Sequence, residues 1–472
     1  MPVPLTRRLG EIVAGAVDAA LPPAVLARAR AGILDTLGCL VAGFGEPAVC
    51  SLSAALGAEG LDGPCSLGLG VEGAQPLRAA LVNGTAAHAL DFDDVAFGGH
   101  IGAVVVPAAL AVAEARGASG LDLLRAYVAG YEAWAEVASR EGSMYHVKGL
   151  HPTGLLGPIG AAAACSVLLR LDADATARAL AIAASQGAGL LANFGTPTKP
   201  FHAGRAAQSG VLAAQLAAAG HGAAADALET ETGFLRAYTP RGEIDLDRAP
   251  HHDGGAWRLE AVAPSVKRYP VCYAAHRAID AALELRARHP VPSERIASIE
   301  VTQSARHGSI LRCHAPETAA EARFSVEFAV ASALLHGWVG FAETAPDRLR
   351  DPALRRLMAL TTRLVSNDAD PVLDGFARAD HVALTLDDGT RLRSAEVTRA
   401  LGHADNPIEA GALARKFTDC LTQARRPTEA VHLLGLLARL ETLADCRVLR
   451  MGFPAASEML DLIPVSPERR PR

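Results

Sequence analysis

Acidic, imidazole and ammonium side chains occur close together in this sequence, beside glycine and proline turns. The segment HALDFDDVAFGGHIGAVVVPAALA holds three carboxylates within four residues (Asp91, Asp93 and Asp94), then a glycine pair and His100 ahead of an apolar run. A carboxylate beside an imidazole fixes the tautomer of the ring and raises its basicity, which makes a positioned acid or base. The segment therefore indicates acid–base chemistry. The alternative is that the aspartates cap helices and His100 lies on the surface.

Three further segments place basic and imidazole groups ahead of predicted helices or at a predicted domain junction. They are MYHVKGLHPTGLLGPIGAAAA with His146, Lys148 and His151, NFGTPTKPFHAGRAAQSG with Lys199 and His202, and SVKRYPVCYAAHRAID with Lys267, Arg268, Tyr269, Cys272 and His276. Cationic groups near a helix N-terminus suit an anionic ligand, and ligand clefts tend to form at domain junctions. Together the segments predict a binding site for a small anion.

Lysine is scarce in this chain, and its positions sharpen the selection. Lys148, Lys199, Lys267 and Lys416 are the four lysines among 45 basic residues, which leaves 45 − 4 = 41 arginines. Arginine stays charged, whereas burial or a cationic neighbour can bring lysine toward neutrality, so a retained lysine indicates a role for its proton. Three of the four lie in the segments above. Chance survival in an arginine-biased chain is the alternative.

The elements that must position these groups are mainly helices. Apolar residues at helical spacing run from residue 5 to about 260, whereas IASIEVTQS (296–304) and HVALTLDDGTRLRSAEV (381–397) alternate as half-buried strands do. EARFSVEFAVASALLHGWVG between them reads as a helix, and SPERRPR as a frayed terminus. We predict a helical domain over 1–265, an α+β lid domain over 266–400, and a helical segment over 401–472 that returns to the first domain. At 472 residues the chain exceeds one typical hydrophobic core.

Composition excludes several functional classes. A formal charge of −6 with no basic block argues against nucleic-acid binding. The start of the chain lacks a signal-like apolar region and no long uncharged run follows, so we predict a cytoplasmic protein without membrane partners. The cysteines lack the close pairing of zinc or iron–sulfur sites, which indicates a reduced compartment and argues against an iron–sulfur cluster. They are Cys39, Cys50, Cys65, Cys165, Cys272, Cys313, Cys420 and Cys446.

In order along nearly the whole chain, the motifs resemble those of the MmgE/PrpD family. They are HALDFDD, His100 before a proline-containing helix, GYE at 130–132, HPTG with an AAAA helix, TKPFHAGRAA, KRYPVC with His276, EARFSVEFAVASALLHG and GHADNPIEAGALARKF. The resemblance implies a large helical domain plus a smaller α+β domain, usually in a homodimer. It also implies cofactor-independent acid–base chemistry on a small di- or tricarboxylic acid, next to a carboxylate. The family's activities include 2-methylcitrate dehydratase, cis-aconitate decarboxylase and iminodisuccinate epimerase.

Position by position, the resemblance indicates an active-site lining, which a predicted substrate-binding set surrounds. The resemblance gives the lining as Asp91, His100, His151, Lys199 and Lys267, and the basic and imidazole segments described above supply the predicted substrate-binding set, which is His202, Arg268, Cys272 and His276. A neutral Lys199 or a histidine is expected to remove a proton next to a carboxylate, and a protonated His100 or His151 to donate one. Val95, where relatives commonly have threonine, Cys272 and the 310–314 stretch depart from the pattern or vary among members, so the substrate stays open. A hydro-lyase resembling 2-methylcitrate dehydratase is the first expectation, with epimerase or decarboxylase as alternatives.

Two remote alternatives come from other classes. DFDDV among helices is similar to the magnesium-binding aspartates of terpenoid synthases, but the chain is only 4% aromatic and no second acidic motif is evident. A non-catalytic helical scaffold is the other. The absence of repeats and the clustering of His and Lys beside Gly loops argue against it.

Overall fold

Helices dominate the chain, with a small amount of sheet. The computed structural model describes residues 4–71, 73–141, 145–239, 242–371 and 376–450. The predicted frayed segment SPERRPR lies outside these residues.

The helices in chain order are α1 Leu5–Gly15, α2 Pro23–Gly43, α3 Pro47–Leu56, α4 Pro76–Ala89, α5 Ile101–Arg116, α6 Gly120–Ala138, α7 Pro152–Leu168, α8 Ala173–Ala184, α9 Thr198–Ala218, α10 Phe234–Tyr238, α11 Arg258–Ala261, α12 His276–Arg288, α13 Ala305–Ile310, α14 Ala319–Ala322, α15 Val326–His336, α16 Pro346–Leu349, α17 Pro352–Ala359, α18 Ala410–Gln423 and α19 Pro427–Leu437. The strands are β1 Leu61–Ser66, β2 Gly73–Ala74, β3 Ile296–Gln303, β4 Thr361–Val365, β5 His381–Leu386 and β6 Arg391–Arg393.

The helical body is built around α4, α5, α7 and α9, which pack on one another through small residues. α5 and α7 are buried along nearly their whole length, which explains their uniformly apolar sequences. Where α4 crosses α9, a Cβ added to Gly204 would lie 2.2 Å from the carbonyl oxygen of Leu81, and one added to Gly84 would lie 2.8 Å from Cα of Gly204. Only glycine permits this close approach of the two backbones. The crossing brings the C-terminal end of α4 beside the N-terminal end of α9.

A four-stranded mixed sheet in the order β4-β3-β5-β6 forms the α+β part with α12, α15 and α17. β3 pairs in parallel with β4, with Ile299 opposite Thr361, and antiparallel with β5, with Ile299 also opposite Leu384. The predicted β5–β6 hairpin is present, and Gly389 in its turn has φ +84°. β4 was not predicted, since its residues are half-buried or exposed rather than alternating.

The buried apolar residues fall mainly into two clusters. One runs from Leu5 to Leu259 and includes Phe417 to Leu449, so the C-terminal helices pack on the helical body. The other runs from Tyr269 to Leu386 and fills the α+β part. The predicted fold class is confirmed: a mainly α chain with an α+β second part, in which the C-terminal helices rejoin the first. The domain limits at residues 265 and 400 stay a prediction.

Among the described residues no single helix is both long and apolar enough to cross a membrane, whereas the bent pair Leu5–Asp18 and Pro23–Gly43, at 95° to each other, meets the length and composition criteria together.

Candidate active site

Three helix N-termini converge where the predicted site residues lie. His100 is the N-cap of α5, His151 is the N-cap of α7 with Pro152 following it, and Lys199 lies in the first turn of α9. α5, α7 and α9 pack against one another, and none has an acidic residue in its first turn. The unpaired N–H groups of a helix start carry partial positive charge, so three of them together favour an anion.

Asp91 is the centre of the cluster. It follows the end of α4 with φ +51°, a left-handed conformation that aspartate tolerates better than most residues, and its side chain is buried. Oδ1 of Asp91 lies 2.7 Å from Nζ of Lys199 and 2.9 Å from Nζ of Lys267, which also donates to the Asp91 carbonyl at 2.7 Å. Burial opposes ionisation of Asp91, but the two ammonium groups outweigh it and hold its pKa well below the ordinary value.

A second carboxylate, that of Asp93, connects two histidines. Both its oxygens lie 3.0 Å from Nδ1 of His88, and Oδ2 also lies 3.0 Å from Nδ1 of His100. Despite burial, these rings hold the pKa of Asp93 well below its ordinary value, so the ionised carboxylate accepts from both Nδ1 atoms. Nε2 of His100 is then left without a proton in the neutral ring, and it lies 3.7 Å from Oδ1 of Asp91. Burial lowers the pKa of His100, which keeps that ring neutral in the absence of a bound anion.

His151 joins the cluster around Asp91 through contacts between rings. Its ring stacks on His88 with centroids 5.7 Å apart and meets Phe194 edge-on at 4.8 Å. Nζ of Lys199 lies 5.1 Å from the Phe194 ring and 5.5 Å from the Phe324 ring, so two aromatic rings and Asp91 surround it. Nδ1 of His151 lies 3.1 Å from Nδ1 of His202. Burial and the charge of Lys199 lower the pKa of His151 well below its ordinary value.

The structure thus brings Asp91, His100, His151, Lys199 and Lys267 into one buried cluster, with His202 at its edge. Their catalytic roles stay a prediction.

The remaining predicted residues divide between this cluster and other parts of the fold. Cys272 is buried nearby, and burial with the charge of Asp91 raises the pKa of its thiol to about 11. His276 is fully buried, with Nε2 3.2 Å from the carbonyl of Val271, and burial plus the charge of Lys267 lowers its pKa to about 3. Both lie next to Lys267 or Asp91, within reach of their charges.

Arg268 faces different surroundings. Its guanidinium lies 5.1 Å from the Trp338 ring and 5.5 Å from the Tyr269 ring, and it lines a cleft of about 820 Å³ with Phe341 and Arg415. In the described part of the chain it makes no hydrogen bond or ion pair with the Asp91 cluster.

Lys148 and Asp94 also lie outside the group of five residues around Asp91. Lys148 is exposed and donates to the carbonyl of Ala237 at 3.2 Å. Asp94 accepts from the backbone N–H of Gly102 at 2.9 Å and thereby holds the start of α5. Burial, with Asp35 and Asp93 nearby, raises its pKa to about 8, so it is mostly protonated at neutral pH.

His88 is the residue that the sequence interpretation missed. It lies in the last turn of α4 and is fully buried, and burial lowers its pKa to about 3. Its spacing from Asp93, five residues later in HALDFDD, is the one signal that could have identified it. Nε2 of His88 and Oδ2 of Asp91 are buried and make no hydrogen bond to any described residue, which leaves two polar atoms available to a ligand or water.

One ligand atom from each of His88, Asp91, Asp93 and His100 falls within 4.8 Å of the others, a spacing that a metal ion could use. Local charge opposes this, since Oδ1 of Asp91 already contacts two ammonium groups. The arrangement is instead suited to acid–base chemistry on a small anion.

Comparison with known proteins places the chain in a family. Residues 7–247 match the MmgE/PrpD N-terminal domain and residues 269–440 match the MmgE/PrpD C-terminal domain, so the chain belongs to the MmgE/PrpD family. It is 30% identical to the cis-aconitate decarboxylase of Mus musculus over 385 residues, covering 79% of this chain and 78% of that protein. The Homo sapiens cis-aconitate decarboxylase is 30% identical over 392 residues, with the same two coverages. A cis-aconitate decarboxylase-like protein of Aspergillus oryzae is 25% identical over 453 residues, covering 90% and 92%.

The predicted family is confirmed, as is the prediction of an enzyme of the lyase class. These relatives do not support 2-methylcitrate dehydration in particular. Family membership also leaves the terpenoid synthase and scaffold alternatives without support. The homodimer and the cytoplasmic location stay predictions.

Proposed function

We propose that this enzyme decarboxylates cis-aconitate or a closely related unsaturated tricarboxylate, without a cofactor. One observation carries the proposal: Lys199 and Lys267 both contact Oδ1 of the buried, ionised Asp91. Ammonium groups held against Asp91 in this way suit the binding of carboxylates, so the proposal gives Lys199 that role rather than the role of a neutral base. Decarboxylation needs no proton abstraction from carbon, whereas dehydration and epimerisation next to a carboxylate do. The names of the related decarboxylases support the same choice.

In the proposed reaction, the bond between the CH₂ carbon of cis-aconitate and its carboxylate breaks, CO₂ leaves, and the electron pair of that bond forms a new double bond between the CH₂ carbon and the central carbon. The double bond shifts, negative charge develops on the carbon next to the opposite carboxylate, and that carbon takes one proton. The product is 2-methylidenebutanedioate.

The side chains of the cleft divide this work. Lys199 and Lys267 stabilise the substrate carboxylates and the negative charge that develops as CO₂ leaves. Protonated His100 or His151 gives the proton to carbon. Asp91 holds both ammonium groups in place. The three helix starts add positive partial charge.

Product analysis in deuterated water tests the proposal. The purified chain is incubated with cis-aconitate, 2-methylcitrate, citrate or iminodisuccinate and followed by NMR. We expect CO₂ release from cis-aconitate. We also expect one deuterium on the product carbon that takes up the proton, which is the CH₂ carbon next to a carboxylate. Elimination of water from 2-methylcitrate, with cis-aconitate untouched, would overturn the proposal in favour of dehydration.

Lys199→Met tests the role of the ammonium group, because it removes that group and keeps a side chain of similar length. Lys148→Met is its control, because Lys148 is exposed and lies outside the cluster. We expect Lys199→Met to lose turnover of cis-aconitate and Lys148→Met to keep it.

A further inference from the structure

His151 and His202 face each other in an unusual way. Their Nδ1 atoms are 3.1 Å apart, so one nitrogen carries a hydrogen and the other accepts it. The backbone of Gly189 lies against both rings: its carbonyl accepts from the His151 backbone N–H at 3.0 Å, and a Cβ at Gly189 would lie 3.2 Å from the His202 ring. His151 is buried, whereas His202 is partly exposed. The pair therefore connects the cleft to the outside.

The cleft is close to electrically balanced before a substrate binds. Lys199 and Lys267 offset the two carboxylates of Asp91 and Asp93. Burial and Lys199 lower the pKa of both His151 and His202, so these rings are neutral when the cleft is empty. A tricarboxylate adds up to three negative charges, which favours uptake of protons by the nearest imidazoles.

Resting on the proposed decarboxylation, we propose that His202 is a positioning residue that fixes the tautomer of His151 and holds the proton consumed in each turnover. Loss of CO₂ leaves an electron pair that must be protonated, so each turnover takes one proton from solvent. His202 takes up that proton as the anion binds, and its Nδ1–H points at Nδ1 of His151. The hydrogen of His151 is then on Nε2, the ring nitrogen that does not contact His202.

Each proton transfer in this scheme has a named donor and a named acceptor. Nε2 of His151 gives its proton to the substrate carbon, while Nδ1 of His151 receives the proton from Nδ1 of His202. Both rings end neutral, and the product gains one C–H bond. After the product leaves, Nε2 of His151 takes a proton from water, the shared proton returns to Nδ1 of His202, and Nε2 of His202 releases its proton to water, so both rings are again neutral.

The first test needs no substrate and so stands apart from the proposed function. ¹⁵N NMR of histidine-labelled protein reports which nitrogen of His151 carries hydrogen, with His151→Asn used for assignment. We expect the Nε2–H form in the unmodified protein and a mixture of tautomers in His202→Phe. His221→Phe is the control, since His221 is exposed beyond the end of α9. An unchanged His151 tautomer in His202→Phe overturns the proposal.

The second test uses cis-aconitate. His202→Ala is expected to lower kcat by about 10- to 100-fold, the range seen when a group that orients a functional histidine is lost, with a much smaller change in KM. Added imidazole should restore kcat in a saturable manner, because it can occupy the space of the missing ring. A merely structural loss would not respond to imidazole.

The outcomes separate the two proposals. If the unmodified chain does not decarboxylate cis-aconitate, the proposed function fails while the NMR result still decides the tautomer of His151. If it does, and His202→Ala keeps full kcat or loses it without rescue by imidazole, the role of His202 is wrong and the proposed function stands.

Discussion

Oδ2 of Asp93 lies 3.0 Å from Nδ1 of His100, and the same carboxylate contacts Nδ1 of His88 at 3.0 Å. This contact determines which nitrogen of His100 faces Asp91 and the cleft. The negative charge that stabilises protonated His100 therefore belongs to Asp93, a residue that need not touch the substrate.

Asp93→Asn tests this relationship. The amide cannot accept from both Nδ1–H groups as the carboxylate does, and it no longer stabilises protonated His100. We expect kcat to fall by about 10- to 100-fold while the protein stays folded, measured by product formation and by circular dichroism.

Asp94→Asn is the matched control for that variant. Asp94 is mostly protonated at neutral pH, and its contact with the Gly102 N–H needs only an acceptor oxygen, which asparagine supplies. Its activity should change little. A larger loss in Asp94→Asn than in Asp93→Asn would contradict the role given to Asp93.

Helix starts, Gly-rich loops and scarce lysines are local features, so sequence patterns predicted the helices and the segments that hold the site, whereas the choice of the five central residues also depended on the resemblance to the MmgE/PrpD family. Lys199 and Lys148 both precede predicted helices, yet Lys199 is buried against Asp91 and Lys148 is exposed. The difference depends on the glycine crossing of α4 and α9, a contact between residues more than one hundred positions apart.

His88 and β4 illustrate the same limit. From the sequence alone, His88 is indistinguishable from a core residue of α4. Its contact with Asp93 forms only because the chain reverses direction at Asp91. β4 has a partner, β3, that lies far away in the chain, and its own residues do not alternate. In both cases the tertiary contact, rather than the local sequence, decides the outcome.

Stability should depend on pH through three histidines, of which His88 and His276 are buried and His146 is half-buried. Burial lowers the pKa of His88, His146 and His276 to about 3 from the ordinary value of 6.5. Between these values the unfolded chain binds protons that the folded chain does not, so the free energy of unfolding falls as pH falls from 6.5 toward 3. Each ring contributes up to about 1.4 kcal/mol per pH unit within that window.

Thermal unfolding at a series of pH values measures the effect. We expect the melting temperature to fall steadily below pH 6.5, and to fall less steeply in His276→Gln, which removes one of the three titrating rings. An equally steep fall in His276→Gln would show that His276 does not stay neutral in the folded state.

Removal of metal ions should leave activity unchanged. The donors of His88, Asp91, Asp93 and His100 lie close enough to hold an ion, but the lysines beside Asp91 oppose a divalent cation. Turnover after dialysis against a chelator, with metal content measured by mass spectrometry, checks this. Loss of turnover on dialysis and its recovery with one added metal would contradict it.

Lys416 has a structural role that the other lysines lack. Its Nζ lies 2.6 Å from Oδ1 of Asp35 on α2 and donates to the carbonyl of Phe92 at 2.6 Å, so it ties α18 to α2 and to the loop that carries Asp91. Lys416, Asp35 and Phe92 are all buried. Burial opposes its charge, but Asp35 outweighs burial and raises the pKa of Lys416 above its ordinary value.

Lys416→Met should therefore destabilise the protein by about 3–5 kcal/mol, because it leaves the Asp35 carboxyl buried without its cation. It should also reduce turnover, since Phe92 loses the donor that holds its loop. Lys148→Met is the surface control, and the double variant Asp35→Leu/Lys416→Met should regain much of the stability because it removes the stranded carboxyl. Differential scanning calorimetry measures the first effect and product formation the second. If the double variant is as unstable as Lys416→Met, the loss arises from the Phe92 contact or from packing rather than from an uncompensated charge.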